Sequence, residues 1–145
     1  MLGHAESKLF IAPRRFRNFD YGPMAANLQQ SLPALQSVFH VGEDGLDSFD
    51  AAFLKCDPLG AEQRPGPNDG TQILYTSGTT GAPKGVMHTA NSLIAGLGPF
   101  IERMSLSRDD VAFMASPLAH QTGFTYGMIL PIVLGGTTVL QDVWT

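Results

Sequence analysis

Thr76-Ser77-Gly78-Thr79-Thr80-Gly81-Ala82-Pro83-Lys84-Gly85 is the stretch on which the reading of this chain turns. Its glycines, Gly78, Gly81 and Gly85, open backbone conformations with positive φ and allow close approach to a ligand. Successive amide N–H groups in such turns converge into an anion-binding nest. Ser77, Thr79 and Thr80 add hydroxyl donors, Pro83 stiffens the return limb, and Lys84 supplies a point charge suited to phosphate. No Asp or Glu lies between Asp69 and Glu102 to oppose a bound anion. Residues Thr76 to Gly85 therefore describe a polyphosphate cradle. It is not the Walker A loop, because Lys84 is followed by Gly85 rather than by Ser or Thr. Nor is it Gly-x-Gly-x-x-Gly.

Outward from the loop, the patterning alternates between strand and helix. Upstream, Gln72 to Thr76 reads as a strand; downstream, Gly85 to Met87 is extended again. Thr89 is placed to cap a helix with Leu93, Leu97, Ile101 and Met104 on one stripe, which Gly96, Gly98 and Pro99 bend in its middle. Val111 to Ala115 is a strand, His120 to about Leu130 a helix ending at Pro131, and Thr137 to Leu140 a last strand. In the first half, Leu9-Phe10-Ile11 marks a strand and Pro13, Asn18, Asp20 and Gly22 a loop. A helix carrying Met24 and Leu28 starts at Pro23 and stops before Pro33. Val38 to Val41 follows as a strand, and Asp47 or Ser48 caps a short helix. The pattern dissolves over 57–70, where Pro58, Gly60, Pro65, Gly66, Pro67 and Gly70 mark a linker between segments 1–56 and 71–145. Such alternation argues an α/β fold with mostly parallel sheets flanked by helices. Strand signals near both ends of the chain leave sheet edges to be covered.

Composition narrows the classes. With 145 residues, 43% hydrophobic, 15% charged and mean hydropathy near zero, the chain is globular. So little charge suggests that part of the surface is meant for burial. A net charge of −4 carries no footprint for nucleic acid. Arg14, Arg15 and Arg17 form the one basic cluster, read as a solvated loop or a phosphate or partner site. One cysteine, Cys56, excludes an internal disulfide and suits the cytoplasm, and no signal peptide is visible after Met1. His4, His40, His88 and His120 lack metal-ligand spacing. From Val111 to Gln141 no charged residue occurs. Ser116, His120, Gln121 and Pro131 nonetheless interrupt that run, so it reads as a buried strand, helix and strand rather than a membrane span.

Thr76 to Gly85 resembles the phosphate-loop signature of the adenylate-forming superfamily, which includes acyl- and aryl-CoA synthetases, luciferases and peptide-synthetase adenylation domains. Ser116-Pro117-Leu118-Ala119-His120-Gln121-Thr122-Gly123-Phe124 is similar to that superfamily's next motif, a Pro-Leu-x-His segment closed by Gly. Its wording is similar to the branch of cyclohexanecarboxylate-type and other short- or medium-chain acyl-CoA ligases. Ala119 departs from the aromatic residue that many relatives carry there. The resemblance implies part of an adenylate-forming N-terminal domain. It implies a reaction in which a carboxylic acid attacks the α-phosphate of ATP, and coenzyme A then displaces AMP to form a thioester. Thr76, Ser77, Gly78, Thr79, Thr80, Gly81, Pro83, Lys84 and Gly85 would grip the ATP phosphates. His120 and Gly123 would lie near the acyl pocket or the adenylate, the plainer alternative for His120 being a hydrogen-bonded structural histidine. His88 reads as structural.

The resemblance also implies a Tyr-Gly-x-Thr-Glu motif contacting adenine and Mg²⁺, and a mobile domain with a catalytic Lys. No Thr-Glu pair occurs in the chain. With the Mg²⁺ ligands expected elsewhere, the chain is read as a ligase fragment that binds nucleotide phosphates weakly and does not complete adenylation. Two other readings stay open: a non-catalytic ATP- or polyphosphate-binding module, and an interaction partner of a full-length ligase. Uncovered sheet edges also suggest self-association.

Overall fold

A computed structural model describes residues 1–45, 47–60, 64–78 and 81–141. The chain divides into two compact units, Met1–Arg64 and Pro65–Thr145.

The first unit is built on one parallel strand pair. Strand β1 (Leu9–Pro13) lies beside β4 (Ser37–Val41), in register from Leu9↔Ser37 to Pro13↔Val41. Parallel neighbours need a crossover. Helix α1 (Gly22–Ser31) supplies it, with Pro23 in the first turn, where no N–H is missed, and its end set just before Pro33. Ala12, Ala25 and Leu35 are buried there. The expected loop between β1 and α1 holds a small hairpin, β2 (Arg15–Phe16) against β3 (Phe19–Asp20). Two-residue strands are too short to show alternation, which is why the sequence pattern missed them. Arg14 Nε reaches Asp20 Oδ1 over 3.0 Å, and Gly22 N–H donates to the same oxygen over 2.9 Å, tying the hairpin to the start of α1. Ser48 caps α2 (Phe49–Phe53), its Oγ accepting from Ala51 N over 3.0 Å. Phe39 and Phe53 meet edge to face, 5.1 Å apart.

In the second unit, β5 (Gly70–Thr76) and β6 (Lys84–Thr89) form an antiparallel hairpin. Thr89 begins α3 (Ala90–Ala95) with a full capping box: Ser92 N–H donates to Thr89 Oγ1 over 3.1 Å, and Thr89 N–H donates to Ser92 Oγ over 2.9 Å. The expected bend falls at Gly96, after which α4 (Leu97–Met104) starts afresh. Leu93 and Leu97 of the expected stripe are buried, whereas Met104 is exposed. Strand β7 (Val111–Met114) pairs in parallel with β8 (Thr137–Leu140), in register from Val111↔Thr137 to Met114↔Leu140.

The α/β arrangement is the expected one. Its parallel pairs are the two crossover units, and two antiparallel hairpins stand with them among the described residues. Between β7 and β8 the helix departs from expectation. It does not end at Pro131: a π-helical segment, Gly123–Ile129, leads directly into α5 (Leu130–Leu134). Leu130 N–H donates to Thr125 O, five residues back, and this wider turn lets Pro131 sit in what is again a first turn, where its missing donor is not needed. The helix lies so close to β7 that a Cβ on Gly127 would come within 2.6 Å of Met114 Cγ. Among the described residues no helix is long and apolar enough to cross a membrane.

Candidate phosphate loop and histidine segment

Thr76 and Lys84 face each other as the last pair of the β5–β6 ladder, so residues 77–83 are the hairpin connection. Thr79 and Thr80 lie outside the described residues. Gly78 has φ +59° and Gly81 φ +85°, left-handed conformations that favour glycine. At Gly78 the connection folds back on itself. A Cβ there would stand 2.6 Å from Ala82 O and 3.7 Å from Lys84 Cγ, so the lysine stem runs along the same turn. Gly85 serves differently from the expected backbone freedom. Its φ lies outside the left-handed range, and what it provides is room: a Cβ would come within 3.0 Å of Ile73 Cγ2 and 3.4 Å of the Tyr75 ring, its cross-strand partner. Ser77, Pro83 and Lys84 are exposed. No ion pair among the described residues involves Lys84; those present belong to Arg14 and Arg15 in the first unit.

The connection between the paired strands recurves at Gly78, and Gly81 is left-handed as well; successive N–H groups in turns of this kind can converge on an anion. The lysine at its base adds a positive charge, and no carboxylate lies in the chain from Thr71 to Ile101. Such an arrangement suits a multiply charged anion. Among the described residues no group of three His, Cys, Asp or Glu side chains is placed to hold a metal ion.

The histidine segment is assembled by other elements. After β7, Ser116 to Ala119 turns into the helix that holds the π segment, and the His120 amide donates to Pro117 O over 3.0 Å. Gly123 is where this turn touches the helix: a Cβ there would overlap the Pro117 carbonyl and come within 2.7 Å of Ser116 O. Only glycine fits. His120 is exposed, and its Nδ1 accepts from Thr122 N–H over 3.2 Å. His88 sits on β6, half-buried, with Nδ1 3.4 Å from Ser92 Oγ and its carbonyl accepting from Thr71 Oγ1, in keeping with a structural role.

The loop residues thus share one hairpin, while His120 and Gly123 share one helix start. An apolar cavity of about 220 Å³ lies between β5, α3 and the π segment, lined by Thr71, Gln72, Leu93, Phe124 and Ile129 among others. Sequence reasoning missed the part played by Thr122. Nothing in a sequence signals it, because any residue except proline carries the N–H that holds the ring.

The family model described as AMP-binding enzyme matches residues 1–145. The chain belongs to the AMP-binding enzyme family. Its sequence is 34% identical over 151 residues to the medium-chain fatty-acid–CoA ligase of Escherichia coli K12, covering 100% of this chain and 26% of that relative. It is 34% identical over 121 residues to the benzoate–CoA ligase of Thauera aromatica, covering 82% of this chain and 23% of the relative. The chain therefore spans about a quarter of the length of these curated relatives. Among solved structures, the N-terminal domain of FACL13 from Mycobacterium tuberculosis has the same fold at a TM-score of 0.76, with 19% identity over 99% of this chain and 34% of that one. ATP-bound MatB from Rhodopseudomonas palustris follows at 0.75, with 23% identity over 97% of this chain and 26% of that one.

Proposed function

We propose that this family member is the phosphate-loop portion of an ATP-dependent carboxylate–CoA ligase, and that Thr76 to Gly85 hold the ATP phosphates that leave as pyrophosphate. The observation that carries this reading is the recurve at Gly78, which brings the Ala82 carbonyl and the Lys84 stem to one turn between the paired residues Thr76 and Lys84. Fixed amide donors and the lysine charge would stabilise the negative charge that builds on the departing phosphates, with little reorganisation as it forms. Thr79 and Thr80, with Ser77, would add hydroxyl donors. Mg²⁺ would neutralise part of the ATP charge, with its protein ligands supplied outside this chain. The acid is a small-molecule carboxylic acid, coenzyme A is the thiol acceptor, and the setting is cytoplasmic. Residues 57–70 act as the linker between the two segments. His120 and Gly123 belong to the acyl side of the site.

Titration calorimetry of the chain with pyrophosphate tests the loop. Weak binding is expected, and Lys84→Ala should weaken it about tenfold or more, the scale of a charge-assisted contact. Binding indifferent to Lys84 would sink the reading. The chain alone should not release pyrophosphate from ATP and Mg²⁺ in the presence of a carboxylate panel; carboxylate-dependent release above a Lys84→Ala control would show that it is catalytically complete. The exposed apolar faces of the sheet strands support self-association as a second property.

A further inference from the structure

The ring of His120 is held by the chain that follows it. Thr122 N–H donates to Nδ1 over 3.2 Å, while the His120 carbonyl accepts from Phe124 N over 2.9 Å. A ring nitrogen that accepts a hydrogen bond carries no proton, so the neutral imidazole keeps its proton on Nε2. Thr122 stands in the first turn of the helix, where amide groups have no carbonyl one turn back to reach; its N–H is free to hold a side chain instead. Gly123, the next residue, admits the Ser116–Pro117 backbone that carries His120 into place, since any larger residue would collide with both carbonyls. The side chain of His120 is exposed, so the protonated edge of the ring remains open to a ligand.

We propose that Thr122 and Gly123 are positioning residues that hold His120 as a fixed Nε2–H donor for a carboxylate oxygen of the acid to be activated. The inference deepens the function proposed above and rests on it for the identity of the ligand. A ring free to exchange tautomers would offer a carboxylate an unprotonated nitrogen part of the time, which repels it. A main-chain clamp on the other nitrogen removes that state, as outer partners do for metal-bound histidines.

The test is a long-range proton–nitrogen correlation spectrum of the histidine side chains of this chain, at a pH where they are neutral, with octanoate as the probe. His120 should show the Nε2–H tautomer alone, and octanoate should shift its Nε2 resonance. Thr122→Pro deletes the clamping N–H at a residue that already has φ −60° and stands in the first turn of the helix, where no intrahelical bond is lost. It should yield a mixture of tautomers and a reduced octanoate response, while Thr122→Ser, which keeps the amide, should behave as the unaltered chain. An Nδ1–H tautomer or a mixture in the unaltered chain overturns the proposal without recourse to any variant. So does a Thr122→Pro spectrum like that of the unaltered chain. An Nε2 resonance indifferent to octanoate, beside intact Lys84-dependent pyrophosphate binding, overturns this inference and spares the phosphate reading. Intact histidine responses with no pyrophosphate binding would do the reverse.

Discussion

At Gly78 the backbone sits at φ +59° with Ala82 O pressed against the position a side chain would take. Alanine there meets both a left-handed backbone, at roughly 1–2 kcal/mol, and a collision with a main-chain atom that cannot swing aside. Gly78→Ala should therefore open the turn and lower pyrophosphate affinity by about tenfold, read by calorimetry; unchanged affinity would mean that the recurve does not shape the site. Asp20 makes a prediction in pH. The Gly22 amide, and then the Arg14 guanidinium, hold its carboxyl below the ordinary 3.8. The folded chain thus binds fewer protons there than the unfolded one. Stabilisation from Asp20 is complete above pH 3.8 and fades as the pH falls through the lowered value. Unfolding curves in acid should show this component in the unaltered chain and not in Asp20→Asn. Residue types made the β5–β6 connection legible as a candidate phosphate loop, because glycine, hydroxyl and lysine each suggest their use. They did not distinguish the left-handed Gly78 and Gly81 from Gly85, whose need is space beside Tyr75 and becomes visible only once the strands are paired.

The helix starts follow the same logic one scale up. Thr89 and Ser92 satisfy each other's amides at the entrance to α3, and α3 is the element that follows the β5–β6 hairpin. Thr89→Ala should cost about 1 kcal/mol and lower the melting temperature by roughly 3 °C, measurable by thermal circular dichroism. Thr89→Ser should restore most of it; a silent Thr89→Ala would show that the cap is not load-sharing in the folded chain. Caps and breakers were readable because they act within a few residues: Pro23, Ser48, Thr89 and Gly96 all stand where the pattern puts them. The β2–β3 hairpin was not readable, being too short for periodicity. The π segment was not readable either, since no local pattern marks a wider turn, and the approach of Gly127 to Met114 becomes visible only once helix and strand are packed.

For the molecule as a whole, the β7–β8 pair raises the question of cover. Parallel strands are ordinarily buried on both faces. Here Ala112, Met114 and Thr138 are partly covered, but Val111 is 61% and Phe113 64% exposed, with Thr137 and Val139 opposite them also exposed. Apolar surface of this kind favours association. Light scattering should show self-association that grows with concentration, and Phe113→Lys should reduce it; a monomer at every concentration would count against that face being sticky. The charge-free run from Val111 to Gln141 announced burial, yet it could not say which flank of the pair another layer would occupy.

The π segment has a geometric consequence for whatever chemistry the helix serves. Each α-helical residue advances the chain by about 100° around the axis. Winding Gly123–Ile129 as regular α-helix without removing a residue would swing the His120 end through roughly that angle relative to Pro131 and the strand beyond, whereas deleting one residue there would leave the two ends nearly in phase. In that sense the irregular turn is a phase adjuster: it lets a histidine at one end and a proline at the other keep separate bearings along one continuous rod.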